Sequence, residues 1–156
     1  MLTIGIPSKG INFPLLKTIE RAMAINEATE IIVSINPGDM GEYSLEKIYE
    51  DARLKIIYQK TDLGLYGNFR YLANVAKNPY FIWNCTDDSI SKDLKHLIDS
   101  AESQKLDLVI PKWEMREFHP STSTWEGDFL EGRLPQVVSG KFRVQDVVDT
   151  EPSWIF

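Results

Sequence analysis

Two adjacent aspartates, Asp87 and Asp88, lie between an apolar run and a predicted helix in the stretch FIWNCTDDSISKDL. Two carboxylates a few ångströms apart repel each other, and a divalent cation relieves that repulsion by supplying positive charge. Magnesium and manganese prefer oxygen ligands and typically combine one or two carboxylates with substrate phosphates. Taken alone, the pair is better explained as a solvated turn, because the helix dipole favours acidic residues near a helix N-terminus.

The segments that must position this pair alternate between strand-like and helix-like patterns. Apolar runs bounded by turn-forming residues predict strands at Leu2–Ile6 (ended by Pro7), Glu30–Ile35, Leu54–Tyr58, Tyr80–Asn84 and Leu106–Ile110. Helices are predicted after a cap at Asn12 (with Pro14 in its first turn and an apolar stripe of Leu16, Ile19 and Met23), around Ser44–Asp51, from a cap at Asn68 to about Lys77, and after a cap at Ser91.

This alternation predicts an α/β fold with a mostly parallel central sheet and right-handed crossovers. Parallel sheets bind ligands at the carboxyl ends of their strands. Polar loops follow four of the predicted strands, at Pro7–Lys9, Asn36–Asp39, Asp62–Gly64 and Thr86–Ser89. We therefore expect these loops to gather on one edge of the sheet.

Composition excludes several classes of protein. The 156 residues include 43% hydrophobic and 26% charged residues, which are values typical of a globular domain. A single cysteine excludes an internal disulfide and a multi-cysteine zinc site. The net charge of −6 argues against a general nucleic-acid binder. No apolar run is long enough for a membrane span and no signal pattern opens the chain, so a soluble cytoplasmic protein is expected.

Four stretches in order, LTIGIPSKG, EIIVSINPGD, DLGLYGNFRY and FIWNCTDDSI, resemble the nucleotide-binding half of family 2 glycosyltransferases with the GT-A fold. The resemblance covers roughly residues 1–110 and rests on a strand–Pro–Ser start, an Asn-containing loop after strand two, a Gly…Asn segment and a Thr-Asp-Asp motif after strand four. It implies a Rossmann-like, three-layer αβα sandwich. The whole chain is then expected to be one domain, with residues 111–156 as a shortened acceptor-side region.

The resemblance also implies roles for individual residues. Asp88 would bind Mn²⁺ or Mg²⁺, while Asp87 would contact the donor ribose or assist the metal. The other residues implied to line the nucleotide are Pro7 and Ser8 at the nucleobase, Asn36 reading the base, and Gly64, Asn68 and Arg70 as a wall. Each of these has an ordinary structural explanation as well: Ser8 and Asn36 as turn residues, Asn68 as a helix cap and Gly64 as a backbone requirement.

Three positions depart from the family pattern. Ile35 stands where many members have an aspartate that hydrogen-bonds the base, and Asp62 replaces the usual asparagine of the Asn-x-Gly segment. Cys85 occupies the first acidic position of the longer Asp-x-Asp-Asp form. These differences bear on nucleotide affinity and base choice more than on the fold.

The C-terminal part offers weaker candidates. An inverting member would use a carboxylate there to deprotonate the acceptor hydroxyl, and the segment SGKFRVQDVVD nominates Asp146, with Asp149 behind it. His119 is a candidate for completing a metal site, although a loop histidine before a proline is more often structural. The tryptophans Trp113, Trp125 and Trp154 are candidates for stacking on sugar rings or for filling the core.

The resemblance predicts metal-dependent, inverting transfer of a sugar from a nucleotide-diphosphate donor, UDP-sugar foremost, to a saccharide or other hydroxyl acceptor. The alternative is a catalytically inactive or truncated domain of this type that binds a nucleotide or a partner. A phosphoacceptor receiver domain is disfavoured because its acidic pair would follow strand one, where this chain has PSKG. A nucleotidylyltransferase is disfavoured because PSKGIN lacks the expected glycine-rich basic loop. The sequence leaves the oligomeric state open.

Overall fold

The computed structural model describes residues 1–41, 44–86, 88, 90 and 94–106, together with the backbone of Met115–His119 and Thr124–Asp128. The strands are β1 (Leu2–Lys9), β2 (Ala28–Asn36), β3 (Leu54–Tyr58), β4 (Tyr80–Trp83), β5 (Met115–His119) and β6 (Thr124–Asp128). The helices are α1 (Phe13–Met23), α2 (Leu45–Ile48), α3 (Gly64–Val75) and α4 (Lys95–Gln104). The predicted fifth strand falls mainly on residues outside the described part.

A four-stranded parallel sheet in the order β3-β2-β1-β4 forms the centre of the fold. The chain winds from β1 through β2 to β3 and then crosses back to place β4 on the other side of β1. Because such crossovers are right-handed, this reversal puts α3 on the face of the sheet opposite α1. The predicted α/β, Rossmann-like architecture with helices flanking a mostly parallel sheet is confirmed.

The two inner strands, β1 and β2, supply many of the buried apolar residues. In β2 every residue from Glu30 to Asn36 is buried, as expected for a parallel strand that is covered on both faces. In β1 the buried apolar residues Ile4 and Ile6 alternate with Gly5, whose position lies against Leu72 of α3 and Phe81 of β4. An added Cβ at Gly5 would lie 2.6 Å from the Phe81 ring, so glycine lets α3 and β4 pack closely here.

The prediction that Pro7 ends the first strand is wrong, because β1 continues to Lys9 and Pro7 pairs with Ser34 of β2. The N–H of Asn84 donates to the carbonyl of Gly5 at 2.9 Å, so Gly5 faces β4. Peptide groups alternate in direction along a strand, and Pro7 therefore faces the same side, beyond the last β4 pairing at Trp83. Its missing N–H leaves no ladder bond broken.

The amino edge of the sheet is held by a buried carboxylate. Glu30 accepts hydrogen bonds from the Thr3 hydroxyl at 2.8 Å and the Lys77 N–H at 3.0 Å, and it forms an ion pair with Lys55. Burial raises the pKa of Glu30, but these three donors outweigh it and hold the pKa below its ordinary value. One side chain thus links β1, β2, β3 and the segment that precedes β4.

A second polar anchor closes the C-terminal end of α1. The Arg53 guanidinium donates to the carbonyls of Met23, Ile25 and Ala28 at 2.7–3.1 Å and pairs with Asp51 at 2.7 Å. Helix C-termini leave carbonyls without intrahelical partners, and Arg53 supplies a donor for that of Met23, the last residue of α1. The hydrogen bond from Arg53 lowers the pKa of Asp51.

The described residues fall into two compact units, one that contains Met1–Lys95 and one that begins at His96. The second unit includes an antiparallel pairing of β5 with β6, in a stretch where the sequence shows no clear period. Among the described residues, no helix combines the length and apolar character needed to cross a bilayer.

Candidate functional site

The candidate site lies at the carboxyl edge of the sheet, where the strand order reverses between β1 and β4. In open parallel sheets the crevice at such a reversal is the usual ligand site. The segment Asn84–Asp88 leaves β4 at this point, and its first N–H is bonded to β1 through Gly5. The predicted metal ligand Asp88 therefore follows the strand that borders the crevice.

The turn that carries Asp88 is held on two sides. The Asp88 N–H donates to the carbonyl of Cys85 at 3.0 Å, which closes a tight turn. The hydroxyl of Thr18 on α1 donates to the carbonyl of Thr86 at 3.0 Å. Asp88 is exposed, while Thr18 is only 1% exposed. The second member of the pair, Asp87, lies outside the described residues.

The residues at this edge suit a cation whose coordination is completed by substrate oxygens better than a cation that is coordinated by protein side chains alone. In the described part of the chain, no three His, Cys, Asp or Glu side chains group to hold a metal ion. Mg²⁺ and Mn²⁺ do not require such a group, because they commonly take one or two carboxylates plus phosphate oxygens. An exposed carboxylate at the crevice, Asp88, suits that kind of binding.

The segment after β1 is tightly bonded to the segment after β2. The N–H of Gly10 donates to the carbonyl of Asn36 at 3.0 Å, and the N–H of Ile11 donates to the carbonyl of Asp39 at 2.7 Å. Ser8, predicted at the nucleobase, is buried and its hydroxyl donates to the Gly10 carbonyl at 2.9 Å. Gly10 has a φ of 70°, the left-handed region that glycine adopts without strain.

The first turn of α1 is partly closed to anions. The side chain of Asn12 accepts the N–H of Leu15 at 2.9 Å, and its carbonyl accepts the N–H of Leu16 at 3.2 Å. Pro14 has no N–H to offer. The predicted cap at Asn12 is confirmed. Of the four N–H positions at the start of α1 that have no intrahelical partner, Pro14 lacks the N–H and that of Leu15 is capped, so at most those of Asn12 and Phe13 are open to a phosphate.

Asn36, predicted to read the base, lies at the end of β2 with its amide engaged. Its Oδ1 accepts the N–H of Leu63 and its Nδ2 donates to the carbonyl of Gly64, both at 3.2 Å. The residue is 4% exposed. Its side chain therefore ties the sheet edge to the start of α3, and a base-reading role stays a prediction.

The predicted nucleotide wall belongs to α3. Gly64 begins the helix with a φ of 67°, and Arg70 is exposed on it. The interpretation of Asn68 as a helix cap is wrong, since α3 starts four residues earlier. Asn68 is instead buried, and its Nδ2 donates to the carbonyls of Ser34 at 3.0 Å and Ser8 at 3.4 Å. It thus fastens α3 to the carboxyl ends of β1 and β2.

An ion pair spans the same edge. Lys9, the last residue of β1, lies 3.1 Å from Asp62 in the loop before α3. The N–H of Gly64 and then the Lys9 ammonium hold the pKa of the Asp62 carboxyl below its ordinary value. Asp62, a departure from the family pattern, is therefore ionised and links the loop to β1.

Two residues at the site were missed by the sequence reading. Asn84 is 1% exposed and, within the described part of the chain, neither its Oδ1 nor its Nδ2 has a hydrogen-bond partner. Thr18 looks like one more residue on a helix face, and no local pattern links it to a loop 68 residues away. The polar residue at the end of an otherwise apolar strand was the available signal for Asn84.

Six other predicted residues lie in the C-terminal part of the chain. Asp146, Asp149, Trp113 and Trp154 lie outside the described residues. His119 and Trp125 lie in β5 and β6, where the backbone pairs His119 with Thr124 and Phe118 with Trp125. The roles of all six stay predictions.

The fold is similar to that of residues 1–349 of TarS from S. aureus, a glycosyltransferase, with a TM-score of 0.53 and 18% sequence identity. The match covers 74% of this chain and 41% of the TarS chain, so this chain spans less than half the length of that relative. No protein-family model matches the sequence, and no curated protein matches it significantly. The chain therefore has a glycosyltransferase-like fold.

Proposed function

We propose that this chain is a glycosyltransferase that moves a sugar from a nucleotide-diphosphate donor to a hydroxyl acceptor with inversion, using Mn²⁺ or Mg²⁺. UDP-sugar is the proposed donor, and a saccharide or another alcohol is the proposed acceptor. The glycosyltransferase-like fold supports the general class. The metal, the inversion and the donor go beyond the fold and follow the family resemblance, and for the metal the exposed Asp88 at the carboxyl edge of the sheet adds support.

The observation that carries the proposal is the contrast between α1 and Asp88 on either side of the crevice. A diphosphate needs positive charge or free N–H donors, and a helix start commonly supplies the latter. Here the Asn12 cap and Pro14 leave at most two such donors at the start of α1. A cation held by the exposed Asp88 would supply the missing positive charge.

Each part of the site then has a defined task. Asp88, with Asp87 beside it in sequence, would hold the cation, which when bound would neutralise charge on the diphosphate leaving group. The turn from Pro7 to Gly10 and the start of α3 would border the nucleotide. Asp146 would accept the proton of the acceptor hydroxyl. At the same time the hydroxyl oxygen would form a bond to the anomeric carbon of the sugar, and the bond from that carbon to the diphosphate oxygen would break.

The test is a transfer and hydrolysis assay with UDP-sugars and Mn²⁺ on the wild type and on Asp88→Asn. Glu50→Gln is the matched control, because it also removes one exposed negative charge but lies before β3, at the amino edge of the sheet. We expect metal-dependent product from the wild type and from Glu50→Gln, and at least a tenfold loss in Asp88→Asn, about the cost of 1.4 kcal/mol in the barrier.

Two other outcomes have definite meanings. Mn²⁺-dependent UDP binding without any product would favour the second candidate, a glycosyltransferase-like domain without turnover. No UDP binding at any Mn²⁺ concentration would exclude the proposed function. Asp146→Asn separates binding from transfer, because it is expected to leave UDP binding intact while product formation falls.

A further inference from the structure

The hydroxyl of Thr18 makes an unusual contact for a helical threonine. Threonines inside helices commonly bond the carbonyl three or four residues earlier on the same helix. Thr18 instead donates to the carbonyl of Thr86, in the segment that follows β4, at 3.0 Å. Both partners are removed from full solvent exposure, and Thr18 is 1% exposed. Water therefore competes little for this bond, which joins α1 to the segment that carries Asp88.

Thr86 occupies the middle of that segment. Ahead of it, the N–H of Asn84 is bonded to Gly5 of β1 at 2.9 Å. After it, the N–H of Asp88 is bonded to Cys85 at 3.0 Å, so the turn is closed locally. The first contact fixes the segment at the point where it leaves the sheet, and the second fixes the conformation of the turn. The Thr18 hydroxyl adds a third restraint that sets the turn relative to α1.

We propose that Thr18 is a positioning residue for the cation at Asp88. This inference rests on the proposed function, since it requires that Asp88 binds a metal ion. Without the hydroxyl, the turn keeps its internal bond but loses the Thr18 bond to α1, and the Asp88 carboxylate is then expected to sample more orientations. Binding must then restrict that freedom, so affinity for the cation falls.

The expected loss of cation affinity depends on how many contacts separate Thr18 from the metal ligand. Removing a direct hydrogen-bond partner of a metal ligand typically costs 10–100-fold in affinity, and Thr18 acts one step further away, so we expect a loss of about 3–10-fold. Thr18→Val removes the hydroxyl at nearly constant shape. Thr18→Ser keeps a hydroxyl and should restore most of the affinity.

Thr3→Val is the matched control. Thr3 is also a buried threonine whose hydroxyl donates a hydrogen bond, to Glu30 at 2.8 Å, but it lies at the amino edge of the sheet. Both valine variants should lower the melting temperature, because Thr18→Val removes a partly buried hydrogen bond and Thr3→Val removes the bond to Glu30 and the one that Thr3 accepts from Asn78. Only Thr18→Val should also weaken cation binding. This difference separates a positioning role from general destabilisation of the fold.

The experiment measures free Mn²⁺ by electron paramagnetic resonance during titration of the full chain in the presence of UDP. The wild type, Asp88→Asn, Thr18→Val, Thr18→Ser and Thr3→Val are compared below their melting temperatures. The inference is supported if Thr18→Val binds Mn²⁺ about 3–10-fold more weakly while Thr18→Ser and Thr3→Val stay within twofold of the wild type.

Two patterns would overturn the inference and are distinguishable. If Asp88→Asn loses Mn²⁺ but Thr18→Val binds it like the wild type, or no more weakly than Thr3→Val, the positioning role is wrong and the proposed function stands. If wild type and Asp88→Asn bind Mn²⁺ equally, the proposed metal site is wrong and the role of Thr18 is lost with it.

Discussion

The amide of Asn36 is joined to Gly64, with Nδ2 donating to the carbonyl across 3.2 Å while Oδ1 receives the N–H of Leu63. This contact connects the carboxyl end of β2 to the first residue of α3. A side chain used in this way supports the wall of the crevice. Its effect on nucleotides should therefore be the same for every base.

Asn36→Ala should weaken the binding of UDP, CDP and GDP by the same factor, about fivefold if the lost support is worth roughly 1 kcal/mol. The check is a set of competition titrations with Mn²⁺ present, read as ratios between nucleotides. If only the affinity for UDP falls, so that the ratios between the three nucleotide affinities approach one, Asn36 reads the base directly, as the family resemblance implies.

Gly10 and Gly64 both have a positive φ, but only Gly10 is crowded. An added Cβ at Gly10 would lie 2.1 Å from the carbonyl oxygen of Asp39, whereas nothing lies within 4 Å of the same atom at Gly64. Gly64→Ala should cost about 1–2 kcal/mol from backbone strain alone. Gly10→Ala should cost about 3–4 kcal/mol, because the backbone of the neighbouring loop must also move. Urea unfolding of both variants checks this, and equal losses would contradict it.

Arg53→Ala should lower the free energy of unfolding by about 2–4 kcal/mol, because the carbonyls of Met23, Ile25 and Ala28, between the end of α1 and the start of β2, lose their bonds from Arg53. Arg21→Ala, an exposed arginine in the last turn of the same helix, is the control and should cost less than about 1 kcal/mol. Chemical denaturation measures both. Similar costs would mean that charge near the helix end matters and that the carbonyl contacts do not.

Glu30 should make stability depend on pH in the acid range. Burial raises its pKa, but Lys55, the N–H of Lys77 and Thr3 outweigh burial and leave the pKa below 4.5. A lowered carboxyl pKa adds stability above its unfolded value and loses it as pH falls through the folded value. Glu30→Gln should thus be less stable than the wild type at pH 7, by about 1–2 kcal/mol.

The difference between Glu30→Gln and the wild type should then shrink as the pH drops below 4.5, the ordinary pKa of the group. Urea unfolding at pH 7, 5, 4 and 3 measures it. Asp51, whose pKa is also lowered by Arg53, contributes equally to both proteins and cancels in the comparison. A difference that stays constant down to pH 3 would show that the Glu30 charge does not stabilise the fold.

Replacing Asn84 and replacing Asn68 by leucine should change the stability of the fold in opposite directions. Leucine has the same number of heavy atoms as asparagine. Both are buried, but Asn68 donates to Ser34 and Ser8, whereas Asn84 has no partner for its amide among the described residues. Asn84→Leu should be neutral or stabilise by about 1 kcal/mol, and Asn68→Leu should destabilise by about 1–3 kcal/mol. Thermal unfolding is the measurement. Destabilisation by Asn84→Leu would reveal a partner for its amide.

The parts of the fold that sequence alone could predict are those set by neighbouring residues. The bounds of β3 at Leu54–Tyr58 and the cap at Asn12 are confirmed, because an apolar run between turn formers and an asparagine before a helix act locally. The stripe predicted for α1 was only partly right. Ile19 is buried, but Leu16 and Met23 are half-buried, and Leu15, Thr18 and Ala22 complete the inner face.

The residues that the sequence analysis predicted wrongly are those whose surroundings are formed by residues distant in the sequence. Pro7 is tolerated within β1 only because β4 stops pairing at Gly5, and strand order is needed to know that. Asn68 has a cap-forming side chain, yet its partners are the carbonyls of two strands that lie 34 and 60 residues away. For the site, sequence placed Asp88 correctly after β4 but gave no sign that Thr18 supports its turn.

Pro7 also has a consequence for where the sheet opens. The next rung from β1 toward β4 would need an N–H at residue 7, and proline has none. At this point the segment after Asn84 leaves β1, and the carbonyl of Thr86 accepts its bond from Thr18 of α1 instead. Proline at position 7 gives the edge of β1 no donor for further pairing at the place where a ligand would enter.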